Sequence, residues 1–418
     1  MQTLAELNNG RLKGVRELKL SENLEHFPEA IFELADTLEV LDLSHNKLSE
    51  LPDLSRLRKL KIAFFSFNHF RVFPSAFKNC QNLYMLGLKG NQLEVFDEDI
   101  LPWSVSWLIL TDNRLTTLPR SIGDLSELRK FPLAGNQLTE LPTEMEKCRK
   151  LELIRLSANQ FSDIPDWLLN LPKLSWLAFS GNPCAPSPSN GHTEVAYASL
   201  EMSERLGEGA SGEIYRGYDH DSEREVAVKL FKGAVTSDGY AHDEINAYMS
   251  TGEHPHLISV HARIQGEEPL GLVLELIPSH YENLGLPPSF ETCTRDTFAE
   301  ETTFSLDLVY AVARAIVSAA EHLHARGLMH GDLYAHNILI NREDDHCYFG
   351  DFGAATFYDK SNLLYEKLEV RAFACLLEDM LTCCVHDGSE GYDYLVTLIK
   401  RCQNEVVAKR PLFSEIVL

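Results

Sequence analysis

The 418-residue sequence predicts two folding units of different kinds: a parallel-stranded α/β solenoid over residues 1–182 and, after a linker at 183–198, an α+β domain over 199–418. Three observations predict this. An asparagine recurs every 22 or 23 residues, at Asn23, Asn46, Asn68, Asn91, Asn113, Asn136, Asn159 and Asn182. The repeat then stops at Pro183-Cys184-Ala185-Pro186-Ser187-Pro188-Ser189-Asn190-Gly191, a run that favours a short, fairly stiff connection. Beyond it the charge balance changes: residues 1–192 hold 21 Lys and Arg against 24 Asp and Glu, whereas 193–418 hold 17 against 38.

One repeat reads Leu38-x-x-Leu41-Asp42-Leu43-x-x-Asn46-x-Leu48-x-x-Leu51-Pro52 and resembles the leucine-rich-repeat template almost letter for letter. A single coil cannot bury its own apolar face, so eight of them should stack into a horseshoe with the leucines between coils and each asparagine satisfying backbone groups at the turn. The third and fourth units drift, with Phe65 at a leucine position and Asp97 where others carry Pro52, Pro74, Pro119, Pro142 and Pro165. Local irregularity is expected there, without a break.

The column six residues before each asparagine is Glu17, Val40, Ile62, Met85, Trp107, Lys130, Leu153 and Trp176; the next exposed column adds Phe64 and Ile109. An apolar patch around Ile62, Met85 and Trp107 is therefore expected on the concave face, as a contact for a protein substrate, a regulator or the second domain.

The second half opens with Leu206-Gly207-Glu208-Gly209-Ala210-Ser211-Gly212-Glu213-Ile214-Tyr215. Alone this is a weak signal, since three glycines also make a plain hairpin. It gains weight from Val226-Ala227-Val228-Lys229, a strand with one inward lysine, and from Glu244, 15 residues on in a helical stretch. Then come the strand Leu272-Val273-Leu274-Glu275-Leu276-Ile277, a helical pattern from Leu306 to about Arg326, His330-Gly331-Asp332-Leu333-Tyr334-Ala335-His336-Asn337, and Asp351-Phe352-Gly353.

In order and spacing these motifs resemble the protein-kinase family, and the resemblance covers 199–418. It implies an α+β bilobal fold and an ATP-dependent phosphotransferase. Carried over, Gly207, Gly209 and Gly212 would cover the ATP phosphates, and Leu206, Glu208, Ile214 and Ala227 would belong to the same nucleotide site. Lys229 would bind the α and β phosphates, paired by Glu244, and the backbone of Glu275 and Ile277 would meet the adenine behind Leu274. Asp332 would be the catalytic base, while Asn337 and Asp351 would hold Mg2+. Glu369-Val370-Arg371-Ala372-Phe373 resembles the helix that anchors the catalytic loop, with Glu369 in place of the family's aspartate, and Arg410-Pro411 the arginine-proline near its C-terminus.

Three departures stand out. Gly331 replaces the arginine that reads a phosphate on the activation segment. Tyr334 and His336 replace the lysine and arginine that mark serine/threonine and tyrosine kinases. The segment from Asp351 to Glu369 is short and lacks Ala-Pro-Glu, with Thr356, Tyr358, Ser361 and Tyr365 as positional candidates for autophosphorylation. The whole resembles leucine-rich-repeat protein kinases, and the expectation is γ-phosphate transfer to a protein hydroxyl, serine or threonine in preference to tyrosine. A small-molecule kinase of the aminoglycoside or choline type, or a kinase-fold scaffold, is the alternative.

The acidic second half argues against nucleic-acid binding. No apolar run is long enough to span a bilayer, and nine scattered cysteines without a Cys-x-x-Cys pair point to reduced thiols. Because Met1 to Gly10 lacks a basic segment followed by an apolar core, the expected location is cytoplasmic.

Overall fold

The computed structural model describes residues 2–185, 193–209, 211–233, 238–266, 269–385 and 388–418. Most of the linker run, 186–192, and Ala210 of the glycine-rich stretch lie outside the described residues. The chain divides into two compact units, Met1–Asp163 and Ile164–Leu418. The division falls one repeat before the boundary expected at 182, because the eighth coil packs with the residues that follow it.

The first unit opens on the short helix α1 (Leu4–Asn8), capped by Thr3. Seven three-residue strands follow: β1 (Glu17–Lys19), β2 (Val40–Asp42), β3 (Ile62–Phe64), β4 (Met85–Gly87), β5 (Trp107–Ile109), β6 (Lys130–Pro132) and β7 (Leu153–Arg155). They pair in parallel and in register, Glu17 to Val40 to Ile62 to Met85 to Trp107 to Lys130 to Leu153. Alternation along each strand turns the middle residue inward, so Leu18, Leu41, Leu86, Leu108, Phe131 and Ile154 are fully buried. Tight 3-10 turns start after Pro28, Pro74, Pro119 and Pro142, whose fixed φ suits a helical start. No such turn forms after Asp97, nor after Pro52, and Asp99 takes φ +56°. β4 and β5 still pair, so the drift bends the chain locally and leaves the ladder whole.

The asparagines tie coil to coil. Asn113 Oδ1 accepts the Leu93 N–H at 3.0 Å, and its Nδ2 donates to the Leu88 and Leu110 carbonyls at 3.0 Å each. Asn113→Ala strands these buried backbone groups, each costing about 1–3 kcal/mol when unpaired. The urea midpoint of this unit should fall by the equivalent of about 2–4 kcal/mol; a midpoint at the wild-type value would show that the ladder does not rest on the asparagine.

The expected open patch needs correction. Ile62 is 5% exposed and Met85 fully buried, so neither is free surface. Side chains standing in register along a ladder cover one another. Phe64, Trp107 and Ile109 remain half-buried, with the Lys130 ammonium 4.1 Å above the Trp107 ring.

The second unit begins with the eighth coil, the helical turn α2 (Asp166–Leu169) and β8 (Trp176–Ala178). A six-stranded sheet follows, built from β9 (Glu194–Val195), β10 (Leu200–Glu208), β11 (Gly212–Asp219), β12 (Arg224–Phe231), β13 (Val260–Ile264) and β14 (Gly271–Glu275) in the order β10-β11-β12-β14-β13-β9. Val195, Leu200, Val226, Val228, Ala262, Ile264 and Val273 form an apolar core on one face. Strand alternation therefore sends Ala227 and Lys229 to the other face, where helix α3 (Ala241–Ser250) delivers Glu244.

The helical half carries the short strand β15 (Glu282–Asn283), helix α4 (Leu306–His324), β16 (Leu328–Met329), β17 (Ile338–Ile340), β18 (Cys347–Phe349), β19 (Thr356–Phe357), α5 (Leu364–Thr382) and α6 (Glu390–Cys402). The apolar stripe Val309, Val312, Ala313, Ile316 and Leu323 of α4 is buried, and Ser305 caps its first turn by accepting the Leu308 N–H at 3.1 Å. This is an α/β repeat solenoid followed by an α+β bilobal domain, the fold class the resemblance implies. Among the described residues, no helix is long and apolar enough to cross a membrane.

Candidate active site

The glycine-rich stretch is the turn between β10 and β11. Gly207 pairs with Ile214 and Glu208 with Glu213, and the Gly209 N–H closes the turn on the Gly212 carbonyl at 2.9 Å. A Cβ on Gly207 or Gly209 would meet nothing within 4 Å, whereas one on Gly212 would stand 2.3 Å from the Leu230 carbonyl. The first two glycines thus border open space and the third is set by the close approach of β12. Glu208 pairs with Lys232 and Arg205, and Leu206 is 47% exposed at the rim.

On the sheet face below, Ile214 lies opposite Lys229, and Ala227 opposite Leu274. β14 ends at Glu275, whose N–H donates to the Ser259 carbonyl at 2.9 Å. The Ile277 N–H, just past the strand, donates to no acceptor among the described residues, leaving a backbone donor at the mouth of this face.

Lys229, 6% exposed, forms an ion pair with Glu244, 2% exposed, and its Nζ stands 3.8 Å from Asp351 Oδ1. Burial works against the ammonium, but Glu244 and Asp351 outweigh it and hold the Lys229 pKa above the ordinary lysine value. Burial also pushes Glu244 up to about 7, opposed by Lys229. Asp351 takes φ +60°; its N–H donates to the Tyr248 hydroxyl at 2.9 Å. Desolvation would raise its pKa, yet Lys229 and the Gly353 N–H at 3.3 Å keep it below the usual carboxylate range. Phe352 is fully buried, edge-on to Tyr248 at 4.7 Å.

Across from this cluster, Asn337 Nδ2 donates to the Asp332 carbonyl at 2.9 Å and to Asp332 Oδ2 at 3.1 Å. The Asp332 N–H donates to His330 Nδ1 at 3.2 Å, which makes Nδ1 the acceptor and leaves Nε2–H to donate to the Gly350 carbonyl at 3.0 Å. Burial pulls the His330 pKa down, in keeping with that neutral tautomer.

Glu369 does what the resemblance asks of an aspartate. Its two oxygens accept the His330 N–H at 3.2 Å and the Gly331 N–H at 2.7 Å, and His324 Nε2 lies 2.8 Å away. Burial opposes the charge, but His324, His330 and the Gly331 N–H together lower the Glu369 pKa. Glu369→Gln offers one oxygen for two donors, so it should cost about 2–4 kcal/mol at pH 7. A depressed carboxyl pKa contributes stability that is present above the unfolded value, about 4.3, and lost as pH falls through the folded one. The gap between wild type and variant should therefore close below about pH 4 in thermal melts; a constant gap would count against the buried carboxylate.

Sequence reasoning missed Asp296. Its carboxylate accepts the Ala335 N–H and lies 2.7 Å from His336 Nδ1, holding the catalytic loop from below. It sits in an irregular polar stretch with no periodicity to single it out. Of the proposed modification sites, Thr356 and Tyr365 are buried and the Tyr358 hydroxyl lies 2.7 Å from His324 Nδ1; Ser361 alone of the four is exposed.

Residues 200–374 match the protein kinase domain model, and 126–183 and 37–57 match two leucine-rich-repeat models. The chain thus carries leucine-rich repeats followed by a protein kinase domain. It is 29% identical over 170 residues to NUAK family SNF1-like kinase 1 of Mus musculus and of Homo sapiens, a span of 39% of this chain and 23% of each relative. It is 25% identical over 179 residues to a probable cyclin-dependent serine/threonine-protein kinase of Dictyostelium discoideum, covering 43% of this chain and 26% of that one. The chain spans about a quarter of the length of these curated relatives. A solved leucine-rich-repeat protein of Leptospira interrogans is similar over 43% of this chain and 52% of its own, at 28% identity and TM-score 0.35.

Proposed function

We propose that the second unit transfers the γ-phosphate of ATP to a protein hydroxyl, serine or threonine in preference to tyrosine, and that the repeats recruit the protein partner. The observation that carries this reading is the meeting of Lys229, Glu244 and Asp351 within 3.8 Å, facing an Asp332–Asn337 pair joined at 3.1 Å. The preference for serine or threonine is supported by the serine/threonine kinase among the similar proteins.

In this reading Gly207 and Gly209 leave room for phosphates beneath the turn, and Lys229, kept charged by its two carboxylates, binds the α and β phosphates. The backbone at Glu275 and Ile277 receives the adenine. Asp332, held by Asn337 and His330, accepts the proton of the acceptor hydroxyl. With the Asn337 amide nitrogen committed to Asp332, its oxygen and the Asp351 carboxylate offer hard oxygen donors that suit Mg2+. When bound, that ion neutralises charge on the phosphates.

A protein partner would meet the half-buried Phe64, Trp107 and Ile109 on the strand face of the repeats. All nine cysteines are free thiols, which supports a cytoplasmic setting.

The test is transfer from γ-labelled ATP to the protein itself and to a generic basic protein, with magnesium and with chelator. Label that appears with magnesium and disappears with chelator supports the reading. ATP binding without protein label would favour the small-molecule alternative, and absence of ATP binding the scaffold.

A further inference from the structure

The catalytic scheme leaves one feature unused, the seat of the eighth coil on the catalytic loop. The Trp176 indole stacks on Tyr334, two residues after Asp332, with centroids 4.6 Å apart and planes 4° from parallel. Its Nε1–H donates to the Leu333 carbonyl at 3.2 Å. The Leu177 carbonyl lies against Gly331: a Cβ there would stand 2.8 Å from it and 2.7 Å from the Ala354 carbonyl, at φ +74°. Two residues on, the Phe179 N–H donates to Thr356 Oγ1 at 3.1 Å and its ring stacks on Tyr365 at 5.3 Å. Arg410, 1% exposed, reaches back to the Pro172 carbonyl at 2.9 Å.

Gly331 stands where the resembling family keeps an arginine for a phosphate on the activation segment. That place is taken here by two carbonyls, one from the coil and one from the segment itself. β8 and the residue after it therefore hold both the catalytic loop, through Trp176, and the segment, through Phe179. The loop beneath is in its assembled form, with Asn337 on Asp332 and Lys229 on Glu244, so the contact braces the site and leaves it open.

We propose that the eighth coil is a permanent brace of the catalytic loop, with Trp176 as its positioning residue. The inference rests on the phosphotransfer reading above. Its test uses the full chain with Trp176→Ala, Trp176→Phe and, as a control, Trp103→Ala, a position 67% exposed. The readouts are kcat, KM for ATP, and hydrogen exchange at the 331–337 amides.

The expected result is a kcat at least 30-fold lower in Trp176→Ala with KM within twofold, partial recovery in Trp176→Phe, which keeps a ring but loses the donor, and no change in the control. Loop exchange should speed up at least tenfold. A kcat within twofold of wild type, or above it, overturns the brace. Should Trp176→Ala not fold, Trp176→Phe decides by the same split: kcat lowered at constant KM supports the brace, kcat unchanged overturns it. Should wild type transfer no phosphate, the phosphotransfer reading fails by itself, and loop protection unchanged in Trp176→Phe overturns the brace separately.

Discussion

Asp332→Asn should lower kcat by roughly a hundred- to ten-thousand-fold, the usual worth of a positioned general base, with little change in stability or in KM for ATP. The replacement is nearly isosteric. It keeps an oxygen for the Asn337 amide, now 3.1 Å from Asp332 Oδ2, and it leaves the backbone donation to His330 in place. Lys229, Glu244 and Asp351 are untouched, so the nucleotide side of the site should persist. The variant loses only the group that can take the acceptor's proton. Single-turnover transfer, a thermal melt and an ATP-binding isotherm check the three statements together. A rate within tenfold of wild type, with binding intact, would remove Asp332 from the role of base.

Gly331→Arg should unfold the second unit at lower temperature, although it restores the residue that the resembling family carries. The backbone at φ +74° disfavours any Cβ, and that Cβ would meet two carbonyl oxygens at 2.7 and 2.8 Å. Strain in a sparsely populated backbone region costs about 1–3 kcal/mol, and overpacking in a closed site typically another 1–3 kcal/mol. A loss of about 2–6 kcal/mol follows, shared by Gly331→Ala because the collision begins at Cβ. A melting temperature equal to wild type for both variants would mean that β8 and the activation segment can move apart at that point.

How much of this was legible in the sequence depends on whether a residue's role is periodic or local. The asparagine ladder could be read because each coil repeats the same backbone need, met by one amide such as Asn113. Lys229, Glu244, Asp332, Asn337 and Asp351 stand in a fixed order and spacing, and the structure brings the first two against Asp351 and the other two together. What could not be read depends on burial by distant residues. Met85 and Trp107 occupy equivalent columns, yet one is fully buried and the other half-covered. Trp176 sits in that same column, and its partners Leu333, 157 residues on, and Tyr334 distinguish it. Asp296 carries no pattern at all. Compactness follows burial too: the repeat ends at Asn182 by spacing, and the leucine-rich-repeat match runs to 183, but the compact division lies between Asp163 and Ile164.

The compact division between Asp163 and Ile164 bears on how such a protein could be recombined. A different set of repeats exchanged at the end of the repeat would carry away Trp176, Leu177 and Phe179 and leave the 331–337 loop, Thr356 and Arg410 without these partners. An exchange between Asp163 and Ile164 keeps them. The last leucine-rich coil is thus inherited with the kinase domain rather than with the other repeats, and its side chains are free to diverge from the repeat consensus only as far as the 331–337 loop beneath them allows.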